Sequence, residues 1–139
     1  MKIGIIACIC LLLSALIYSC QSDGSIEFKQ YYSAGALVYQ SHCQNCHGAK
    51  GEGLAALIPP LSDTSALKKY QTKLPCIIQD GLKGKIAIAG KDFDGTMPAA
   101  GLSPIEIAQV VTYVGNSFGN KLGVVTGDDV GVALGKCDN

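Results

Sequence analysis

Five consecutive residues, Cys43-Gln44-Asn45-Cys46-His47, restrict this chain more than any other feature of its sequence. Two thiols three positions apart lie about one helical turn from each other, and an imidazole follows directly. Such a pair can bond to one planar group at two points while the neighbouring side chain faces its centre. This is the arrangement of covalent haem attachment, with Cys43 and Cys46 as thioether anchors and His47 as an axial ligand of the iron. A zinc site would need two more ligands at close spacing, but the only other histidine, His42, directly precedes Cys43 and the remaining thiols lie far along the chain. A thioredoxin-like dithiol belongs in a β-α-β context, and no apolar strand precedes this motif.

The composition suits a small domain built around a bulky non-protein group. A length of 139 residues, 48% of them apolar, allows one domain. Seventeen Gly, no Trp, six Tyr and three Phe make a thin supply of large core side chains. The eleven basic residues are all lysines and are matched by eleven acids, so no basic surplus exists for gripping a nucleic-acid backbone. Nucleic acid is not an expected partner.

The N-terminus points to export. Met1 and Lys2 precede an apolar run from Ile3 to Tyr18, a charged n-region and an h-region shorter than a bilayer span, which predicts a signal peptide over residues 1–19. Ile17-Tyr18-Ser19-Cys20 resembles a bacterial lipobox, which would make Cys20 the lipidated mature N-terminus. The protein would then be held at a bacterial membrane and face the periplasm. Tyr18 departs from the small or branched residue usual there, leaving an uncleaved anchor or ordinary release as alternatives. Two or more acyl chains, at about 0.8 kcal/mol per buried methylene, attach stably. Residues 20–32 are mostly polar and read as a lipid-anchored tether with a reach of roughly 20 Å, or alternatively as an ordered extension.

Haem requires an apolar box and, for pure electron transfer, a sixth ligand. Past the signal the chain has one methionine, Met97, in Asp94-Gly95-Thr96-Met97-Pro98. A lone Met ordinarily fills a core gap, but loop-forming neighbours and a proline make this a poor place for filler. A thioether opposite imidazole raises the reduction potential and closes the iron to small molecules. Ser103, Pro104 and Glu106 signal a helix start, and Ile107, Val110, Val111, Val114 and Phe118 recur at helical spacing. A first helix over about Ala34 to Cys43 can pack on that stripe, with Gly35 admitting a close approach at a helix cost of about 1 kcal/mol. Ser65 to Tyr70 and Thr72 to Asp80 predict one or two short helices ended by Gly81. Lys85 to Ile88 and Lys91 to Phe93 predict a hairpin turning at Ala89-Gly90.

These residues resemble the class I, mitochondrial-like c-type cytochromes over about Ser33 to Asn120. Gly35, Tyr39 and Cys43 reproduce that family's Gly-x-x-x-aromatic-x-x-x-Cys spacing. Pro59-Pro60-Leu61 falls where the family places the proline whose carbonyl accepts a hydrogen bond from the proximal imidazole, and spacing favours Pro59. Tyr113 falls near the helix crossing. The resemblance implies an all-α cytochrome c fold, with N- and C-terminal helices crossing over one covalently bound haem c. The hairpin before the Met97 loop is similar to an insert in bacterial cytochrome c domains that serve oxidases, nitrite reductases or dehydrogenases.

The domain would then span residues 33–120, followed by a tail over 121–139 in which Thr126 and Asp129 signal a short helix. Cys8 and Cys10 leave with the signal, so Cys76 and Cys137 remain. In an oxidising compartment they can form a disulfide that pins the tail, or stay as an inert buried thiol and a free one.

Two functions stand after this reading. With His47 and Met97 both on the iron, no place is left there for a small-molecule substrate. The chain would then be a one-electron carrier or the electron-transfer subunit of a respiratory complex, not itself an enzyme, with membrane-bound redox proteins as partners. The alternative is a ligand-binding haem sensor or catalytic haem protein with a displaceable Met97. His42 pairs with no nucleophile and reads as a surface or packing residue. Seven lysines between the motif and Met97 either steer an acidic partner or are simply solvated.

Overall fold

The computed structural model describes Gly4, Ile6 and residues 23–137. The expected lipidation site Cys20, and the signal peptide apart from Gly4 and Ile6, lie outside the described residues. Among those described, six helices and one two-stranded sheet follow in order. They are α1 (Asp23–His42), α2 (Gln44–His47), α3 (Thr64–Tyr70), α4 (Leu74–Asp80), β1 (Ile86–Ile88), β2 (Lys91–Phe93), α5 (Pro104–Gly115) and α6 (Gly127–Leu134).

Helix α1 runs from Asp23, well before the expected Ala34, so residues 23–32 are helical, which agrees with the ordered extension and not with a flexible tether over those residues. Tertiary contacts stabilise turns that a polar composition conceals. Tyr32 stacks on Phe28 at 5.7 Å and lies 5.1 Å from the Tyr113 ring, and its hydroxyl is 3.0 Å from Ser117 Oγ. Tyr31 Oη accepts from the Gly127 N–H at 3.3 Å.

The core forms where α1 crosses α5. Ile107, Ala108, Val110, Val111 and Val114 of α5 are buried with Tyr39 of α1, Leu67 of α3, Leu102 and Val130 of α6. At the crossing the helices meet backbone to backbone. A Cβ on Gly35 would run into the Gln109 carbonyl and lie 2.8 Å from Tyr113 Cβ, so only glycine fits. Helix α5 ends at Gly115, and Phe118 is therefore not on its stripe. Phe118 instead reaches the core from a left-handed backbone (φ +57°), with its ring 5.4 Å from Tyr39 and 5.9 Å from Tyr113.

Helices α3, α5 and α6 are capped through a carboxylate. Glu106 accepts from the Ser103 N–H at 2.9 Å and its hydroxyl at 2.6 Å; Asp63 accepts from the N–H groups of Ser65 and Ala66, both at 3.0 Å. At α6, Asp129 accepts from the Thr126 N–H at 2.9 Å, while its own N–H donates to Thr126 Oγ1 at 3.2 Å. The hairpin pairs Ile86 with Phe93 and Ile88 with Lys91, and both turn residues have positive φ (Ala89 +51°, Gly90 +75°), as a two-residue type I′ turn requires.

Residues 121–137 are packed into the same core, and the expected boundary at Asn120 does not separate them from it. Val130 is fully buried. Thr112 Oγ1 accepts from the Val125 N–H at 2.9 Å and donates to its carbonyl at 3.1 Å; the Asn116 amide pairs in the same two-way fashion with Gly123. Cys137, just past α6, is joined to Cys76 of α4 as a disulfide with Cα atoms 5.6 Å apart.

Gly35→Ala is expected to cost about 3 kcal/mol in denaturant unfolding, because neither backbone can retreat. Gly24→Ala, whose Cβ meets nothing, should leave the midpoint unchanged or higher. The hydrogen bonds at Asp63, Glu106 and Asp129 hold these carboxyls below their usual range. A carboxyl depressed in the folded state stabilises fully above its unfolded pKa, and that contribution disappears as pH falls through the folded value. The melting-temperature gap between the parent and Glu106→Gln should thus stay constant from pH 7 to about 5 and shrink below about 4. A gap independent of pH would reject the ionic cap.

Candidate haem site

The motif rides on the end of α1. The Cys43 N–H donates to the Tyr39 carbonyl at 2.9 Å and the His47 N–H to the Cys43 carbonyl at 2.9 Å, so α2 carries the helical path on past Cys43. Both cysteines are unpaired, Cys43 half-buried against the core and Cys46 exposed. Burial, and then the neighbouring Cys46, pushes the Cys43 thiol up to about 11. His47 is half-buried with Nδ1 3.3 Å from the Pro59 carbonyl oxygen. Burial lowers its pKa, partly opposed by that bond, and so favours the neutral ring. A neutral imidazole donating through Nδ1 has its lone pair on Nε2, the form that ligates a metal. Of the two adjacent prolines, Pro59 makes the contact.

Backbone bonds shape the loop after His47. The Gly53 N–H donates to the His47 carbonyl at 2.9 Å, the Leu61 N–H to the Gly51 carbonyl at 2.8 Å, and Leu54 pairs with Ile58. The Tyr39 hydroxyl, buried at the helix crossing, donates to the Gly48 carbonyl at 2.6 Å. Burial, then the nearby Cys43, raises its pKa and keeps this donor protonated.

Met97, half-buried, stands in a second loop that meets both the first loop and α4. Leu82 and Met97 exchange two backbone hydrogen bonds, of 2.8 and 2.9 Å, and the Ala100 N–H donates to the Ile78 carbonyl at 3.0 Å. Gly81, with φ +80°, lies so close to the Met97–Ala99 backbone that a Cβ would collide with it. On the other side, a Cβ on Gly95 would collide with the Leu57 carbonyl. The loop of His47 and the loop of Met97 are thus in direct contact.

A protein-family model described as cytochrome C oxidase, cbb3-type, subunit III matches residues 31–114. The chain belongs to this family. It is a monohaem c-type cytochrome domain, which carries haem c covalently and works by electron transfer. No curated protein matches the chain.

The residues of this cytochrome fit the group. Cys43 and Cys46 are free thiols one helical turn apart, able to form thioethers with one porphyrin, and the adjacent imidazole has Nε2 available for the iron. Around them, Ile58, Leu61, Ile78, Leu82 and Met97 are only half-buried by protein, and Leu54 and Leu57 are 55% and 56% exposed. Apolar surface of this kind beside the motif is what a porphyrin face would cover.

Other residues that hold the cytochrome's loops carry no sequence signal. Asn120, 2% exposed, donates through Nδ2 to the Leu61 carbonyl at 2.8 Å and the Val114 carbonyl at 3.1 Å, and accepts from Thr64 Oγ1 at 2.7 Å. One side chain thereby ties the end of α5, the loop after Pro59 and the start of α3. A lone Asn past a helix end looks like any turn residue, because two of its three partners, Leu61 and Thr64, lie 59 and 56 positions away. His42 is exposed on the last turn of α1, with Glu106 near it. Asn120→Ala leaves three polar partners unsatisfied and should cost about 3 kcal/mol in the thermal unfolding of the holoprotein. A loss under about 1 kcal/mol would show that water replaces the amide freely.

Proposed function

We propose that this cytochrome domain is a membrane-tethered one-electron carrier, or the electron-transfer subunit of a respiratory complex, in which Cys43 and Cys46 bind haem c through thioethers and His47 and Met97 are the axial ligands. The observation that carries the reading is the His47 Nδ1 to Pro59 bond, which leaves Nε2 as the free ring nitrogen. The group, when bound, supplies reversible one-electron chemistry of its iron. The chain's own residues orient and enclose it. Pro59 fixes the plane and tautomer of His47 and increases its basicity. Leu82, Ile78 and Gly81 hold the backbone at Met97 and after it, and Leu57 meets it before at Gly95, so the sulfur is presented from a fixed loop. A thioether there favours the reduced state and shuts out exogenous molecules.

Membrane placement draws on the sequence. Cys20 is the proposed lipid attachment site, with the domain facing the periplasm of a bacterium. Residues 23–32 are helical and pack on the domain through Tyr31 and Tyr32. The proposed partners are redox proteins bound to the same membrane.

The test is spectroscopic. The oxidised holoprotein should show the weak sulfur-to-iron absorption band, and its reduced form should not take up carbon monoxide. Met97→Ala should abolish the band, open the iron to carbon monoxide and lower the reduction potential. A parent protein that binds carbon monoxide readily would reject the electron carrier in favour of a ligand-binding haem sensor.

A further inference from the structure

Residues 115–137 lie beyond the span matched by the family model, yet they reach the candidate ligand loop through a continuous chain of contacts. Met97 is fixed to the C-terminal end of α4 by the paired bonds with Leu82, by the Ala100 to Ile78 bond and by the close fit of Gly81. Where α4 sits, Met97 sits. Helix α4 is seven residues long, and its apolar footing on the core is small, chiefly buried Pro75 and half-buried Leu74 and Ile78.

Helix α6 is anchored independently of α4. Val130 is fully buried, Thr112 and Asn116 of the α5 region clasp Val125 and Gly123, and Tyr31 of α1 holds the Gly127 N–H. The single covalent link between these two bodies is the Cys76–Cys137 disulfide, which closes 61 positions of chain. It enters α4 on its first turn, opposite in sequence to the end that carries the Met97 loop.

We propose that the Cys76–Cys137 disulfide and α6 form a strut that holds α4, and through it the Met97 sulfur, against the iron, making Cys76, Cys137 and Val130 positioning residues for the sixth ligand. The inference rests on Met97 being that ligand. A helix of two turns with so small an apolar footing opens locally at lower free energy than the α1–α5 core. The bridge removes that option by restricting the excursions of α4 relative to the anchored α6. Without it, the Met97 loop detaches while the fold persists, and the apparent affinity of a competing ligand rises with the detached fraction.

The experiment compares the oxidised holoprotein of Cys76→Ala/Cys137→Ala with the parent. The sulfur-to-iron band and the far-ultraviolet helix signal are followed on heating, and imidazole is titrated as the competing ligand. In the variant the band should vanish well before the helix signal, whereas in the parent the two disappear together. Imidazole should half-saturate the variant at a concentration lower by about fivefold or more. Amide exchange should quicken at Leu82 and Met97 and stay unchanged at Cys46 and His47.

Coincident loss of band and helix in the variant, with unchanged imidazole affinity, would overturn the proposal and leave the bridge as a staple for the whole fold. If the double variant yields no folded holoprotein, Val130→Ala, which keeps the bridge, serves instead. Early loss of the band supports the strut there, and coincident loss overturns it. A parent without the band, and unaltered by Met97→Ala, overturns the ligand assignment itself and the strut with it. That result is visible in the parent before any cysteine is changed.

Discussion

The backbone contact of α1 and α5 at Gly35 governs the rest of the molecule. With no Cβ at that point, the two helices approach until the Gln109 carbonyl fills the space a side chain would need. That depth brings Tyr39 fully into the core and sets the Tyr32, Tyr39, Tyr113 and Phe118 rings within about 6 Å of their neighbours. Tyr39 then connects packing to chemistry, since its hydroxyl reaches the Gly48 carbonyl just after the cysteine-histidine motif. The motif is positioned because the helix before it cannot rotate or slide.

From this crossing two loops are suspended, and they differ in how they are held. The His47 loop is tied at close range by Tyr39, by Pro59 and by Asn120, each a single side chain or carbonyl aimed at it. The Met97 loop is held through its backbone, at Ile78, Gly81 and Leu82 on one side and at Ala56 and Leu57 on the other, and α4, which carries the first of these, is a short helix with a modest apolar footprint. A domain whose large side chains are few leaves Ile58, Leu61, Ile78 and Leu82 half-covered by protein, so the bound haem c of this family completes the core as well as performing the redox step.

Much of this was legible in the sequence wherever the signal is local. The capping residues Ser103 and Glu106, the positive-φ turn at Ala89-Gly90, the stop at Gly81 and the apolar stripe of α5 all depend on neighbours a few positions apart. Gly35 and Pro59 were also legible, because their spacing to Cys43 and His47 resembles that of a known family. The start of α1, the role of Phe118 past the end of its helix, the Asn120 clasp and the packing of α6 were not. Each depends on a partner far along the chain. The polar turn at Asp23 to Gln30 stays helical through aromatic contacts near Tyr113, and Phe118 leaves helical geometry to reach Tyr39.

The sequence by itself determined the chemistry on offer, because two thiols, an imidazole and one thioether are written as residue types at spacings that admit covalent haem. It also determined the local elements, whose caps, turns and periodicity are short-range. Only the tertiary structure decided that residues 121–137 belong to the core and that Cys76 faces Cys137. Those outcomes rest on the burial of shared surface and on hydrogen bonds between segments that meet only when the chain is folded, and no spacing along the chain encodes them.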